Sequence, residues 1–172
     1  GFFNKKKDLD KEKKLYMPDL DVADWVVGCS LLINLKKFQT KKLFDENFFL
    51  FFEEFDLCKK IKKKGGNVYS SKKLIIDHLG FKSSFASDKN FEIEALKLRN
   101  WHWMWSYFYY HKKNDGFVYA LMKIYGKLLR STFKFLYFSL ISNKIEKTRY
   151  LYRVLGIINS IVGNKSWYRI NF

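Results

Sequence analysis

The sequence predicts an α/β fold: part of a mixed sheet organised around one helix, then a C-terminal extension of roughly three helices. Three observations carry this. Asp24–Leu35 is a continuous apolar run with β-branched residues, the pattern of a buried strand. Asn67–Ser70 and Lys73–His78 read as two further short strands parted by Ser71-Lys72. From about Phe91 the chain turns aromatic and helical. The predicted division is 1–90 for the sheet-bearing part and 91–172 for the helical part.

In chain order, Asn4–Lys14 is a charged loop without apolar period. Two Asp-Leu-Asp triplets follow the metal-binding Asp-x-Asp pattern, Asp8–Asp10 and Asp19–Asp21. Neither closes an apolar strand that would fix its geometry, so both read as solvated loops. Within Asp24–Leu35, Gly28 marks a bulge or a close approach of another group. Phe38–Phe44 is a polar turn or helical stub.

The organising stretch is Phe44–Lys64. Apolar positions at Phe51, Phe55 and Cys58, and at Leu57 and Ile61, recur at helical spacing. Glu53, Glu54 and Asp56 fall at the start of this helix and a cluster of lysines at its end. Gly65 or Gly66 supplies the left-handed stop. The ordinary explanation is complementarity with the helix dipole. A second effect opposes it. Carboxylates among Phe48, Phe49, Phe51, Phe52 and Phe55 are partly desolvated, which raises their pKa. A carboxylate held between the two effects suits a general base.

His78 through Ser84 leaves the last strand as a loop. Phe91–His111 is an aromatic helix broken at Asp115-Gly116, Phe117–Ile141 a long amphipathic helix, and Asn143–Gly163 another. Lys123, Lys127, Arg130 and Lys134 form one basic stripe on the second of these. Four charges argue against a membrane span. A helix lying in the interface fits, with aromatics at headgroup depth and lysines on anionic lipid. The competing explanation is a core helix with a solvated basic edge.

Hydrophobic residues at 48% and aromatics at 20% exclude a disordered tail. The net charge of +16, from 33 Lys+Arg against 17 Asp+Glu, favours partners that carry phosphate. The two cysteines, Cys29 and Cys58, sit in apolar surroundings and predict buried, reduced thiols in a cytosolic setting. They form no disulfide or zinc spacing. There is no initiator methionine and no signal-peptide pattern, and the chain reads as the interior of something longer.

Four blocks resemble the C-terminal half of the catalytic domain of family 2 glycosyltransferases, notably rhamnosyltransferase-like bacterial members. They are Asp24-Trp25-Val26-Val27-Gly28-Cys29, Phe44-Asp45-Glu46-Asn47-Phe48-Phe49, Phe52-Glu53-Glu54-Phe55-Asp56-Leu57-Cys58, and His78 with Ser83-Ser84. The family pattern at these places is D-W-x-x-G-A, F-D-E-x-F-F, F-E-D-x-D-L-C and H-x-x-x-x-S-S. The blocks cover about a third of the chain.

The resemblance implies a partial GT-A (nucleotide-diphospho-sugar transferase) fold, here its acceptor-side half. The activity implied is inverting sugar transfer in cell-surface polysaccharide synthesis. The second acid of the family's Glu-Asp pair is the base that deprotonates the acceptor hydroxyl. That position is Glu54, which keeps the carboxylate but lengthens the arm. Glu53 and Asp56 would support it. His78 matches a ligand of the divalent metal, Mg2+ or Mn2+, on the donor diphosphate. Asp24 and Trp25 match the acceptor-site wall. The family's nucleotide-binding half would precede residue 1, so this chain alone is expected to be inactive. The partners implied are a nucleotide-sugar donor and a glycan or lipid-linked acceptor. With the basic stripe on an anionic membrane, the location expected is the cytoplasmic face, peripheral to the bilayer.

Two alternatives lack chemistry: a basic-aromatic nucleic-acid-binding module and a membrane-surface adaptor. Widely spread lysines and the absence of a nucleic-acid fold signature disfavour the first. The acid pair among phenylalanines separates the enzyme from both.

Overall fold

The computed structural model describes residues 19–38, 42–78 and 89–170. Among them are four α-helices: α1 at Glu53–Lys63, α2 at Lys89–Asp115, α3 at Phe117–Leu140 and α4 at Lys144–Ile161. A 3-10 turn covers Leu35–Lys37, and two strands of three residues complete the set, β1 at Leu20–Val22 and β2 at Tyr69–Ser71. The strands pair antiparallel, with Leu20 opposite Ser71 and Val22 opposite Tyr69.

The α/β expectation is therefore overturned. The described residues are mostly helical and hold only a two-stranded sheet, not half of a mixed GT-A sheet. Asp24–Leu35 forms no strand. Among the described residues no sheet pairs with it: Val27 and Leu35 are more than half exposed and Leu32 is fully so. Lys73–His78 also forms no strand, and Leu74, Ile75 and Ile76 point outward. The expected strand Asn67–Ser70 is replaced by Tyr69–Ser71. Its partner is the second Asp-Leu-Asp triplet, which is thus a strand edge and not a loop. There Asp19 pairs with Lys73 at 2.6 Å and Asp21 with Lys72 at 2.9 Å. Cys29 is exposed, against expectation, while Cys58 is buried. Asn4–Lys14, the triplet Asp8–Asp10 and Ser83-Ser84 lie outside the described residues.

The core sits between α2, α3 and α4, where Met104 and Phe108 meet Ala120, Ile124 and Ile157. No glycine or proline interrupts α2. Its buried residues, Trp101, His102, Met104, Trp105, Ser106 and Phe108, run around most of its circumference, because it is covered on two sides. Helices α3 and α4 cover one side. The aromatic segment Phe48–Phe55 covers the other: Phe48 packs edge-on to Tyr109, Phe49 against His102, and Phe52 against Trp103, Tyr107 and Tyr110.

Helix α2 ends at Gly116, whose φ of 96° lets α3 start at the next residue. Asn143 caps α4, its side chain accepting the Glu146 amide at 3.1 Å. The chain then returns over α2. Trp105 Nε1 donates to the Asn164 carbonyl at 3.0 Å, and Ser166 Oγ donates to the Asn47 carbonyl at 2.6 Å. These bonds hold the tail and the Asn47 turn together.

Candidate functional site

Helix α1 has acids in its first turn (Glu53, Glu54 and Asp56), lysines in its last, and Gly65 with φ 77° just after it. This is the arrangement the spacing predicts. The entrance is unusual. Phe51 and Phe52 both take left-handed backbone conformations, φ 66° and 70°. Such angles are costly for bulky residues and persist only where packing over-determines them. Here the packing is aromatic: Phe51 lies edge-on to Trp103, and Phe52 is wedged among Phe55, Trp103 and Tyr110. The strained pair directly precedes Glu53 and Glu54.

Two faces of α1 do different work. One meets the segment Asp24–Gly28. Trp25 stacks on Phe55 with centroids 4.3 Å apart, Asp24 pairs with Lys62, and Gly28 lies against Glu54. A Cβ on Gly28 would stand 3.7 Å from that of Glu54, an ordinary van der Waals contact, so the structure shows no approach here that requires glycine. Trp25 remains 46% exposed, which leaves indole surface beside Glu54 for a ligand.

Glu54 itself is half-buried. Burial raises its pKa above the ordinary 4.5, its own backbone amide pulls it down, and the neighbouring Glu53 carboxylate raises it further. The outcome is a raised value: desolvation beats the helix N-terminus. The Oε2 atoms of Glu53 and Glu54 are buried without a hydrogen-bond partner among the described residues. Unsatisfied carboxylate oxygens of this kind call for a donor.

The other face of α1 carries Asp56, Lys59 and Lys63 to the end of α2. Lys113 Nζ donates to Asp56 at 2.6 Å and to Asp45 at 2.7 Å. Asn114 donates to Asp56 at 2.9 Å, Tyr109 to Asp45 at 3.0 Å, and Lys59 to Asp115 at 2.6 Å. Burial pushes the Asp45 carboxyl up, but hydrogen bonds from Lys113, Asn47 and Tyr109 outweigh it and hold the pKa at about 2. Asp45 and Asp56 thus clamp the Phe44–Phe49 and Phe52–Cys58 segments onto α2.

No protein-family model, no curated protein and no solved structure matches the chain. The site therefore rests on its own geometry.

That geometry brings Trp25 and Gly28 to the first turn of α1, where Glu53 and Glu54 lie, leaves Asp24 on Lys62 at the other end of the helix, and turns Asp56 away into the clamp. It leaves His78 on the exposed stretch after β2. Among the described residues no three His, Cys, Asp or Glu side chains converge to hold a metal ion. His78 therefore does not fit a metal centre by itself.

The basic stripe is divided. Lys127 lies over the Tyr107 ring at 4.8 Å and Lys123 over Tyr119 at 5.3 Å, while Lys134 is half-buried and donates to the Tyr150 hydroxyl at 3.0 Å. Sequence reasoning missed Lys113, Tyr109 and Asn114, the partners of the acids. One signal pointed there: Phe52, Asp56, Lys59 and Lys63 recur every three or four residues, the spacing of a single helix face.

Proposed function

We propose that Glu54 is the general base of an inverting sugar transfer from a nucleotide-sugar donor to a glycan or lipid-linked acceptor. The observation that supports it is a half-buried carboxylate of raised pKa at a strained helix entrance, next to the segment that carries Gly28 and the part-exposed Trp25. The resemblance of the same blocks to family 2 glycosyltransferases points the same way.

In this reading an acceptor sugar lies on the free surface of Trp25, an apolar ring face matched to an aromatic one. Its hydroxyl donates to Glu54. The carboxylate takes the proton as the hydroxyl oxygen attacks the anomeric carbon, and the nucleotide leaves from the opposite face with the bonding electrons. A raised pKa strengthens the carboxylate as a base. Glu53 keeps the local field negative and so sustains that basicity. Donor binding belongs to residues outside the cluster.

The test is transfer by the protein, with radiolabelled nucleotide sugars and the membrane fraction of the source cell as acceptor. Glu54→Gln should lower kcat by about 10²–10⁴-fold with donor affinity retained, the range for loss of a general base. The wild-type rate should fall on the acid side with an inflection above 4.5. Near-normal turnover by Glu54→Gln removes the assignment.

A further inference from the structure

Among the described residues, no element packs on the outward side of helix α3. Val118, Met122, Tyr125, Leu129, Phe133 and Leu140 recur at helical spacing, each between 52% and 85% exposed. Ala120, Ile124 and Ser131 face the bundle instead. At 100° per residue the apolar stripe points nearly opposite to that buried face. Lys123 and Arg130 are exposed and fall on one flank between the two, while Lys127 lies at the edge of the bundle face, over the Tyr107 ring. With Lys134 the helix carries four basic residues and no acid. So long an exposed apolar strip on a monomer marks an interaction surface.

We propose that this outward face of α3 lies in the surface of an anionic lipid bilayer. Charge selects the occupant. A second copy of the chain would bring a helix of the same sign with no acid to pair with. A phosphate chain would satisfy the lysines but leave the aliphatic stripe in water. An anionic bilayer satisfies both: acyl chains take the stripe, and headgroups take Lys123 and Arg130 on its flank. Tyr119 and Tyr125 carry an apolar ring and a polar tip, suited to the boundary between them. The helix lies flat and does not cross: among the described residues no helix is long and apolar enough to span a membrane. The basic stripe alone is not the anchor, since Lys134 is engaged by Tyr150. This surface is independent of Glu54 and stands or falls separately from it.

The experiment is co-sedimentation of the full chain with phosphatidylcholine vesicles, with and without phosphatidylglycerol, alongside its mass in solution. The chain should pellet with the anionic vesicles and not with the neutral ones. The combined variant Met122→Ser, Leu129→Ser, Phe133→Ser should lose about tenfold in binding. Lys123→Glu with Arg130→Glu keeps the stripe and should also release the protein, which covers failure of the first variant to fold. Equal binding to neutral and anionic vesicles, or full binding by both variants, overturns the proposal. So does a wild-type dimer that the serine variant converts to monomer, because the stripe is then an interface between copies.

Discussion

Gly156 of α4 rests directly on the main chain of Trp101 in α2: a Cβ at 156 would overlap the Trp101 carbonyl oxygen. The obstacle is backbone inside a helix, which cannot swing aside as a side-chain tip can. Gly156→Ala gains helix propensity of about 1 kcal/mol. It must also push α2 and α4 apart, and overpacking of this kind costs about 1–3 kcal/mol or more. The net expected is a loss of stability, read as a lower urea midpoint with an unchanged slope. A variant as stable as the parent would show that the two helices do not approach so closely.

The clamp at Lys113 invites a second substitution. Asp56 is 4% exposed and depends on Lys113 and Asn114 for its hydrogen bonds. Lys113→Met leaves a buried carboxylate with one neutral partner. Losing one member of a buried pair costs about 3–5 kcal/mol. Lys113 is one-third exposed, and solvent screening brings the expectation to about 2 kcal/mol. Adding Asp56→Asn should recover part of that loss, because the stranded charge is then gone. Additive losses in the double variant, measured by denaturant unfolding, would show that the two side chains do not interact.

How much of this was visible beforehand depends on how local the signal is. Helix α1 was legible because its acids, lysines and stop glycine are all neighbours in sequence. Helices α3 and α4 fall close to the stretches that periodicity marks, Phe117–Ile141 and Asn143–Gly163. The sheet was misread because β-branched residues in Asp24–Leu35 state a preference that only a partner strand can satisfy. The apolar burial went to α2 instead, where Trp101, Trp105 and Phe108 are sealed on two sides. Gly28 reads as a bulge or close approach, but its neighbour Glu54 stands at an ordinary contact distance. The role of Asp56 was hidden because Lys113 lies 57 residues further on. Nothing in composition marks Phe51 and Phe52 as left-handed, since that conformation is imposed by rings of α2.

His102 offers a pH test of the core. The side chain is fully buried, and its Nε2 lies 2.8 Å from the Tyr168 carbonyl, which can only accept, so Nε2 carries the proton. Nδ1 is buried without a partner among the described residues. Protonating it would create a buried N–H with no acceptor. Burial accordingly lowers the pKa from 6.5 to about 4, the Tyr168 carbonyl opposes this, and the Arg169 charge adds to it. The sign follows. Above 6.5 the ring is neutral in both states and the fold keeps its full stability. As pH falls, the unfolded chain gains a proton that the folded chain refuses until about 4. Stability should therefore decline between those values, approaching about 1.4 kcal/mol per pH unit. His102→Gln retains a donor for Tyr168 and removes the titration, so its stability should be flatter from pH 6.5 down to about 5, above the range where carboxylates dominate. Urea unfolding at steps across that window makes the comparison. Parallel curves for the two proteins would mean that His102 takes up its proton in the folded chain as readily as in the unfolded one.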